Sequence, residues 1–277
     1  MDNLIIKNFI DYWDNTIKEW ADSGGIIPES EKEWFEGNTK LCEWSKLMPE
    51  PYWGNPTNCS AVILHFNPAC SQKIDESCDG YIDNKHDSRT SCGLMSEKYS
   101  VIAEEFPILN KPLNCPYKCF GGVKWWQIRE DWIKRLIPNS NKKPFGLEFC
   151  GWHSPNWHDI NFTDKCKDYV NDRVIPVFKE AIKNSDLEII VLCIGKEIGD
   201  FLINYPTHKS TWSVVNNNKE INKILTQIKN NRIYRILKSN DGLFVLNTYG
   251  GRLNPPAKEF ENIERQLINE IKKLKAN

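Results

Sequence analysis

Ala61-Val62-Ile63-Leu64-His65-Phe66-Asn67-Pro68-Ala69 is the stretch on which the reading of this chain turns. Its first six residues are a short apolar run with β-branched members, the pattern of a strand buried on both faces of a parallel sheet. Pro68 has no N–H to offer a ladder, so the strand stops before it. In open α/β sheets, ligands collect outside the carboxyl ends of the strands. An amide carried out at that edge, Asn67, is therefore a candidate site residue, although Asn-Pro also opens ordinary turns.

Working outward, the same alternation recurs. Residues 145–150, 187–194 and 243–246 read as further strands. Residues 3–21 place Leu4, Ile5, Phe9, Ile10, Trp13, Ile17 and Trp20 at helical spacing, and residues 29–35 form a second short helix. Residues 124–137 form an amphipathic helix with Trp125, Ile128, Trp132, Leu136 and Ile137 on its buried stripe. Helices also fit residues 164–183, 195–203, part of 216–238, and 257–274. Strand alternating with helix predicts an α/β fold, a three-layer α/β/α sandwich around a mainly parallel four-stranded sheet. Residues 1–57 make an N-terminal helical extension packed on the core, and residues 58–277 the α/β domain. Residues 70–122 form a long insertion with five cysteines and little periodicity.

Composition narrows the function. The 277 residues carry 36 basic and 37 acidic side chains, a formal charge of −1, so any nucleic-acid face must be local. No run reaches the ~20 apolar residues of a membrane span, and no signal peptide is evident. The expectation is a cytoplasmic protein without a membrane partner, its ten cysteines mainly reduced. Cys70, Cys78, His86, Cys92, Cys115 and Cys119 lack the tight Cys-x-x-Cys knuckle of zinc sites, so no metal is expected. Gly195-Lys196-Glu197-Ile198-Gly199 matches neither common phosphate-cradling pattern, and no cofactor is expected.

Asn67 and Asn247 lie just past the first and last expected strands, where both amides face one cleft with His153 and Arg252. An amide can orient a water but cannot take its proton. That suits reactions whose transition state is already cationic, such as glycosidic cleavage. The loop Trp152-His153-Ser154-Pro155-Asn156-Trp157-His158 offers stacking faces and proton donors. A packed aromatic loop with satisfied histidines is the competing reading. Ser154 and His153 lack the Gly-x-Ser-x-Gly elbow of a nucleophilic serine.

The order of motifs resembles the uracil-DNA glycosylase superfamily, in its mismatch-specific and single-strand-selective branches. Asn67-Pro68-Ala69 is similar to the Asn-Pro-Gly motif after that family's first strand. The run from Ile189 to Gly199 is similar to its third strand and following helix. Asn247-Thr248-Tyr249-Gly250-Gly251-Arg252-Leu253 stands where its DNA-wedging loop stands. The resemblance covers residues 58–70 and 145–270. It implies a DNA glycosylase-like hydrolase cleaving the N-glycosidic bond of an unusual, damaged or modified base. Asn67 would position the water and Asn247 would contact the flipped or departing base. Phe66, Pro68, Ala69, Trp152, His153, Tyr249, Gly250 and Arg252 would line the base site. Ala69 replaces the motif glycine, and Cys150-Gly151-Trp152-His153 follows the second strand where the most active branch has an Asn that reads uracil. A non-catalytic binder of DNA, nucleobase or nucleotide on the same scaffold is the alternative. A metal-stabilised hydrolase using His153 and His158 is a further rival.

Overall fold

The computed structural model describes residues 4–36, 38, 45–66, 121–154, 160–188, 190–205, 211–228, 232–250 and 255–276, with backbone alone at 121–126 and 190–194. Asn67, Pro68, Ala69, His158, Arg252 and all but the last two residues of the 70–122 insertion lie outside these.

One helix opens the chain, α1 (Leu4–Asp22). A 3-10 turn (Glu29–Glu31) leads into α2 (Lys32–Phe35) and the two-residue strand β1 (Tyr52–Trp53). Then come β2 (Val62–His65), α3 (Gly121–Leu136) and β3 (Phe145–Glu148). A long helical arm follows, made of α4 (Asp164–Tyr169), a π turn (Val170–Val174) and α5 (Ile175–Lys183). The remainder is β4 (Ile190–Ile194), α6 (Lys196–Asn204), β5 (Trp212–Val214), α7 (Lys219–Leu225), β6 (Ile233–Ser239), β7 (Phe244–Tyr249) and α8 (Glu261–Ala276).

The expected four-stranded, mainly parallel sheet is corrected. The strands run in the order β1-β3-β2-β4-β7-β6-β5, a mixed sheet of seven. β3, β2, β4 and β7 are mutually parallel, whereas β1 on β3, β6 on β7 and β5 on β6 are antiparallel. A mixed three-stranded part (β1, β3, β2) and an antiparallel three-stranded part (β7, β6, β5) are thus joined through β4. The three strands absent from the sequence reading are the antiparallel ones. β6 overlaps the end of residues 216–238, where Ile233, Ile236 and Leu237 sit at helix-like spacing.

Side chains alternate across the strands, so each strand feeds two cores. On one face Val62, Leu64, Phe145, Leu147, Leu237 and Val245 meet α1, α5 and α6 through Trp13, Ile17, Phe178 and Phe201. On the other, Ala61, Ile63, Ile236, Phe244 and Leu246 meet Trp132, Ile133, Ile221, Leu267 and Ile271 from α3, α7 and α8. Each such buried side chain contributes roughly 1.5–3 kcal/mol. Residues 1–57 supply α1 to the first core and β1 to the sheet edge.

Two local features have identifiable causes. Thr163 caps α4, its hydroxyl accepting from the Cys166 N–H at 3.3 Å. The π turn immediately precedes Pro176, whose ring cannot sit against a regular preceding turn. No described helix is long and apolar enough to cross a membrane.

Candidate functional site at the carboxyl edge of the parallel strands

β2 lies between β3 on one side and β4 on the other, so the parallel order reverses direction at the junction of β2 and β4. Crevices at such a reversal are where open α/β sheets take ligands. The β2–β3 ladder continues one residue past His65, with the Cys150 N–H donating to the Phe66 carbonyl at 2.8 Å. The strand therefore ends at this reversal with Phe66.

Two chemically different surfaces flank that strand end. On the α6 face, half-buried Phe66 meets Phe162 edge-on at 5.2 Å between ring centroids and Phe149 at 6.0 Å. Phe162 stacks parallel on Phe149 at 6.4 Å, and Phe201 and Tyr205 extend the cluster. Phe66, Phe162 and Tyr205 are only partly buried, leaving aromatic surface next to the strand end.

On the α3 face the edge is ionisable. His65 and Glu148 are register partners on adjacent parallel strands, and Arg129 reaches them from α3. All three are buried. Burial pushes the Glu148 carboxyl well above the usual carboxylate range, partly offset by Arg129 and reinforced by Glu50. Burial, then the Arg129 charge, holds the His65 imidazole well below its ordinary value, so it is neutral. Among the described residues Glu148 Oε2 has no hydrogen-bond partner. Strongly shifted groups gathered at a strand-end crevice are the usual mark of a functional site.

The last strand contributes a different arrangement. Asn247 lies within β7 rather than past it, and its side chain is fully buried. Its Nδ2 donates to the Gly195 carbonyl at 2.7 Å, while its Oδ1 accepts from Arg235 Nε at 3.0 Å and Nη2 at 2.7 Å. Arg235 also pairs with Asp200 at 2.6 Å and lies against the Tyr249 ring at 4.7 Å. Gly195 adopts φ of +128°, a conformation a side chain would oppose, and Gly250 follows Tyr249 at φ of +86°. Asn247 thereby ties the β4–α6 turn to β6, and its amide is engaged at both ends.

Trp152 and His153 point into the protein. Trp152 is 1% exposed and its Nε1 donates to Glu31 at 2.8 Å. His153 Nε2–H donates to the Met48 carbonyl at 3.1 Å, with Glu50 at 3.8 Å. Burial lowers the His153 imidazole to about 4, and its neutral form persists at ordinary pH. The competing sequence reading of this loop, a packed aromatic segment, matches the geometry of these two residues. Among the described residues no three His, Cys, Asp or Glu side chains converge as a metal site.

The structure thus brings Phe66, Glu148 and His65 to one edge at the end of β2, and sets Asn247 behind the β4–α6 turn. His65, Glu148, Arg129 and Arg235 were not singled out from sequence, yet each carried a signal. His65 and Glu148 are polar residues inside apolar strand runs, and Arg129 lies on the stripe between Trp125 and Trp132. Comparison with family models, with curated proteins and with solved structures returns no match for this chain.

Proposed function

We propose that this chain is a DNA glycosylase-like hydrolase that cleaves the N-glycosidic bond of an unusual, damaged or modified base. The observation that supports the reading is the end of β2 at the reversal between β2 and β4, where Phe66 joins an aromatic cluster on one face and His65 lies beside the buried acid Glu148 on the other. In this reading Asn67 orients the attacking water, and Phe66 offers its ring to the planar base. Glu148, whose burial favours the neutral acid, is a proton donor for the departing base. Tyr249, Gly250 and Arg252 form the segment that meets DNA, and extrusion of the base exposes the bond to attack. Asn247, with its amide engaged, acts by holding the Gly195 turn and Arg235 in place. A reducing, cytoplasmic setting belongs to this reading, and the free thiols of Cys59, Cys150 and Cys166 suit it.

The test is a panel of oligonucleotides carrying deaminated, alkylated, oxidised and mismatched bases, scored for alkali-labile abasic sites. At least one is expected to yield them. Asn67→Ala is expected to lower the rate by about 100-fold or more, the scale on which water positioning acts. Conversion of no oligonucleotide in the panel would refute the glycosylase reading.

A second reading, a non-catalytic binder of nucleobases or nucleotides at the same edge, is favoured by one observation. The last-strand amide cannot contact a ligand without giving up its bonds to Gly195 and Arg235. That reading expects saturable nucleobase binding, unaccompanied by abasic sites.

A further inference from the structure

We propose that a separate cavity of about 240 Å3, between α1 and the π turn, binds a small zwitterion with an apolar body, of the kind represented by a free aliphatic or aromatic α-amino acid. Ile5, Phe9 and Val177 give it apolar walls, and Tyr12, Asp172 and Arg173 supply its polar groups.

The Arg173 guanidinium is held by faces rather than by acceptors. It lies 4.0 Å from the Tyr12 ring centroid and 5.4 Å from that of Tyr169. Among the described residues it has no ion-pair partner and no hydrogen-bond acceptor, so its edge donors are available to a carboxylate. The ring beneath it is fixed, because the Tyr12 hydroxyl bonds to Glu31, which Tyr169 and Trp152 also engage. A stacked cation on an anchored ring is ordered before any ligand arrives, which lowers the cost of binding.

Charge selects the class of occupant. A simple anion drawn to Arg173 meets the Asp172 carboxylate on the same rim and the Glu31 carboxyl behind Tyr12. A simple cation meets Arg173. A molecule bearing an ammonium beside a carboxylate satisfies Asp172 and Arg173 together, and the apolar walls take its side chain. The volume falls below the ~300–1,000 Å3 of cavities that hold drug-sized ligands, which suits one amino acid better than a nucleotide. The π turn places Asp172 and Arg173 on this rim, and such turns are frequent at functional sites.

Ligand-observed NMR and calorimetry on the full chain test the proposal, with L-leucine and L-phenylalanine as probes. Both are expected to bind saturably. 4-Methylpentanoate, lacking the ammonium, and isoamylamine, lacking the carboxylate, are each expected to bind at least about tenfold more weakly than leucine. Arg173→Ala and Asn8→Trp alter exposed positions at the cavity and are each expected to weaken leucine binding by at least about tenfold while circular dichroism shows the variants folded. Absence of saturable binding by either amino acid overturns the proposal. So does binding of either analogue with the affinity of leucine, or wild-type affinity in a folded variant. None of these readouts depends on glycosylase activity.

Discussion

Glu31 and Glu148 are carboxyl groups buried to the same degree, 0% and 3% exposed, in very different company. Glu31 is ringed by donors: the Tyr12 hydroxyl, Trp152 Nε1 at 2.8 Å and the Tyr169 hydroxyl at 3.2 Å. It fastens the 3-10 turn to α1, to α4 and to the loop after β3, and both of its oxygens accept hydrogen bonds. Glu148 lies within the fields of Arg129 and Glu50, and among the described residues its Oε2 has no hydrogen-bond partner. Native structures rarely leave a buried polar atom unpaired. A carboxyl bonded at both oxygens is a fastening within the fold. A carboxyl with capacity to spare, at the end of a strand beside a topological reversal, is where a water or ligand belongs.

The largest expected effect breaks the pair at Glu148. Glu148→Leu leaves the buried Arg129 guanidinium opposite a hydrocarbon, and removing one partner of a buried pair typically costs ~3–5 kcal/mol. Adding Arg129→Met to that variant removes the stranded charge and is expected to restore most of the loss. Urea unfolding of the wild type, the single variant and the double variant measures this. If the double variant is no more stable than the single, Arg129 and Glu148 do not act as a unit and the contrast with Glu31 collapses.

The second effect is pH-dependent and belongs to Glu31. Burial raises its pKa from 4.5 to about 7, against the lowering influence of its donors and Arg173. The folded state therefore binds this proton more tightly than the unfolded chain. The resulting stabilisation is complete below about pH 4.5 and is lost as pH rises through about 7. A shift of this size corresponds to a few kcal/mol, on the order of 3 at most. His153 works in the opposite sense: its folded pKa is lowered to about 4, so its contribution is present above 6.5 and lost as pH falls through 4. The difference between wild type and Glu31→Gln isolates Glu31, and that difference is expected to shrink between pH 4.5 and 7.5. A difference independent of pH would show that Glu31 is ionised in the folded protein.

These residues also mark how far the sequence could be read. The runs at Val62–His65 and Phe145–Glu148 announced buried strands because every position is apolar or tolerably packed, and the four parallel strands were all legible. The antiparallel strands were not. β1 is two residues long, β5 is three, and β6 carries Ile233, Ile236 and Leu237 at a spacing that also fits a helix. The reading ended the last strand before Asn247, because an Asn-Thr-Tyr-Gly-Gly run looks like a turn. Arg235 from the unseen β6 is what allows a buried amide in β7. Partners far apart in sequence make Glu31, Arg129 and Asn247 what they are, and no local period reports such pairings.

The smallest expected effect tests the network at the other end of the same edge. A methyl group on Gly199 would run into the Asn247 carboxamide oxygen and Arg235 Nη2. Neither can move away freely: the amide is bonded to Gly195 as well, and the guanidinium is paired with Asp200 and bonded to the Lys196 carbonyl at 2.8 Å. Gly199→Ala is therefore expected to cost ~1–3 kcal/mol, the range for forcing an extra carbon into a packed site. Lys196→Ala, altering an exposed side chain on the same helix, is the control and should be within about 0.5 kcal/mol of wild type. If Asn247 acts through the turn it fastens, Gly199→Ala should also reduce ligand affinity at the strand edge while its binding of nucleobase remains saturable. Wild-type stability in Gly199→Ala would mean that the Asn247–Arg235 network has slack, and that its amide is as available as the oxygen of Glu148.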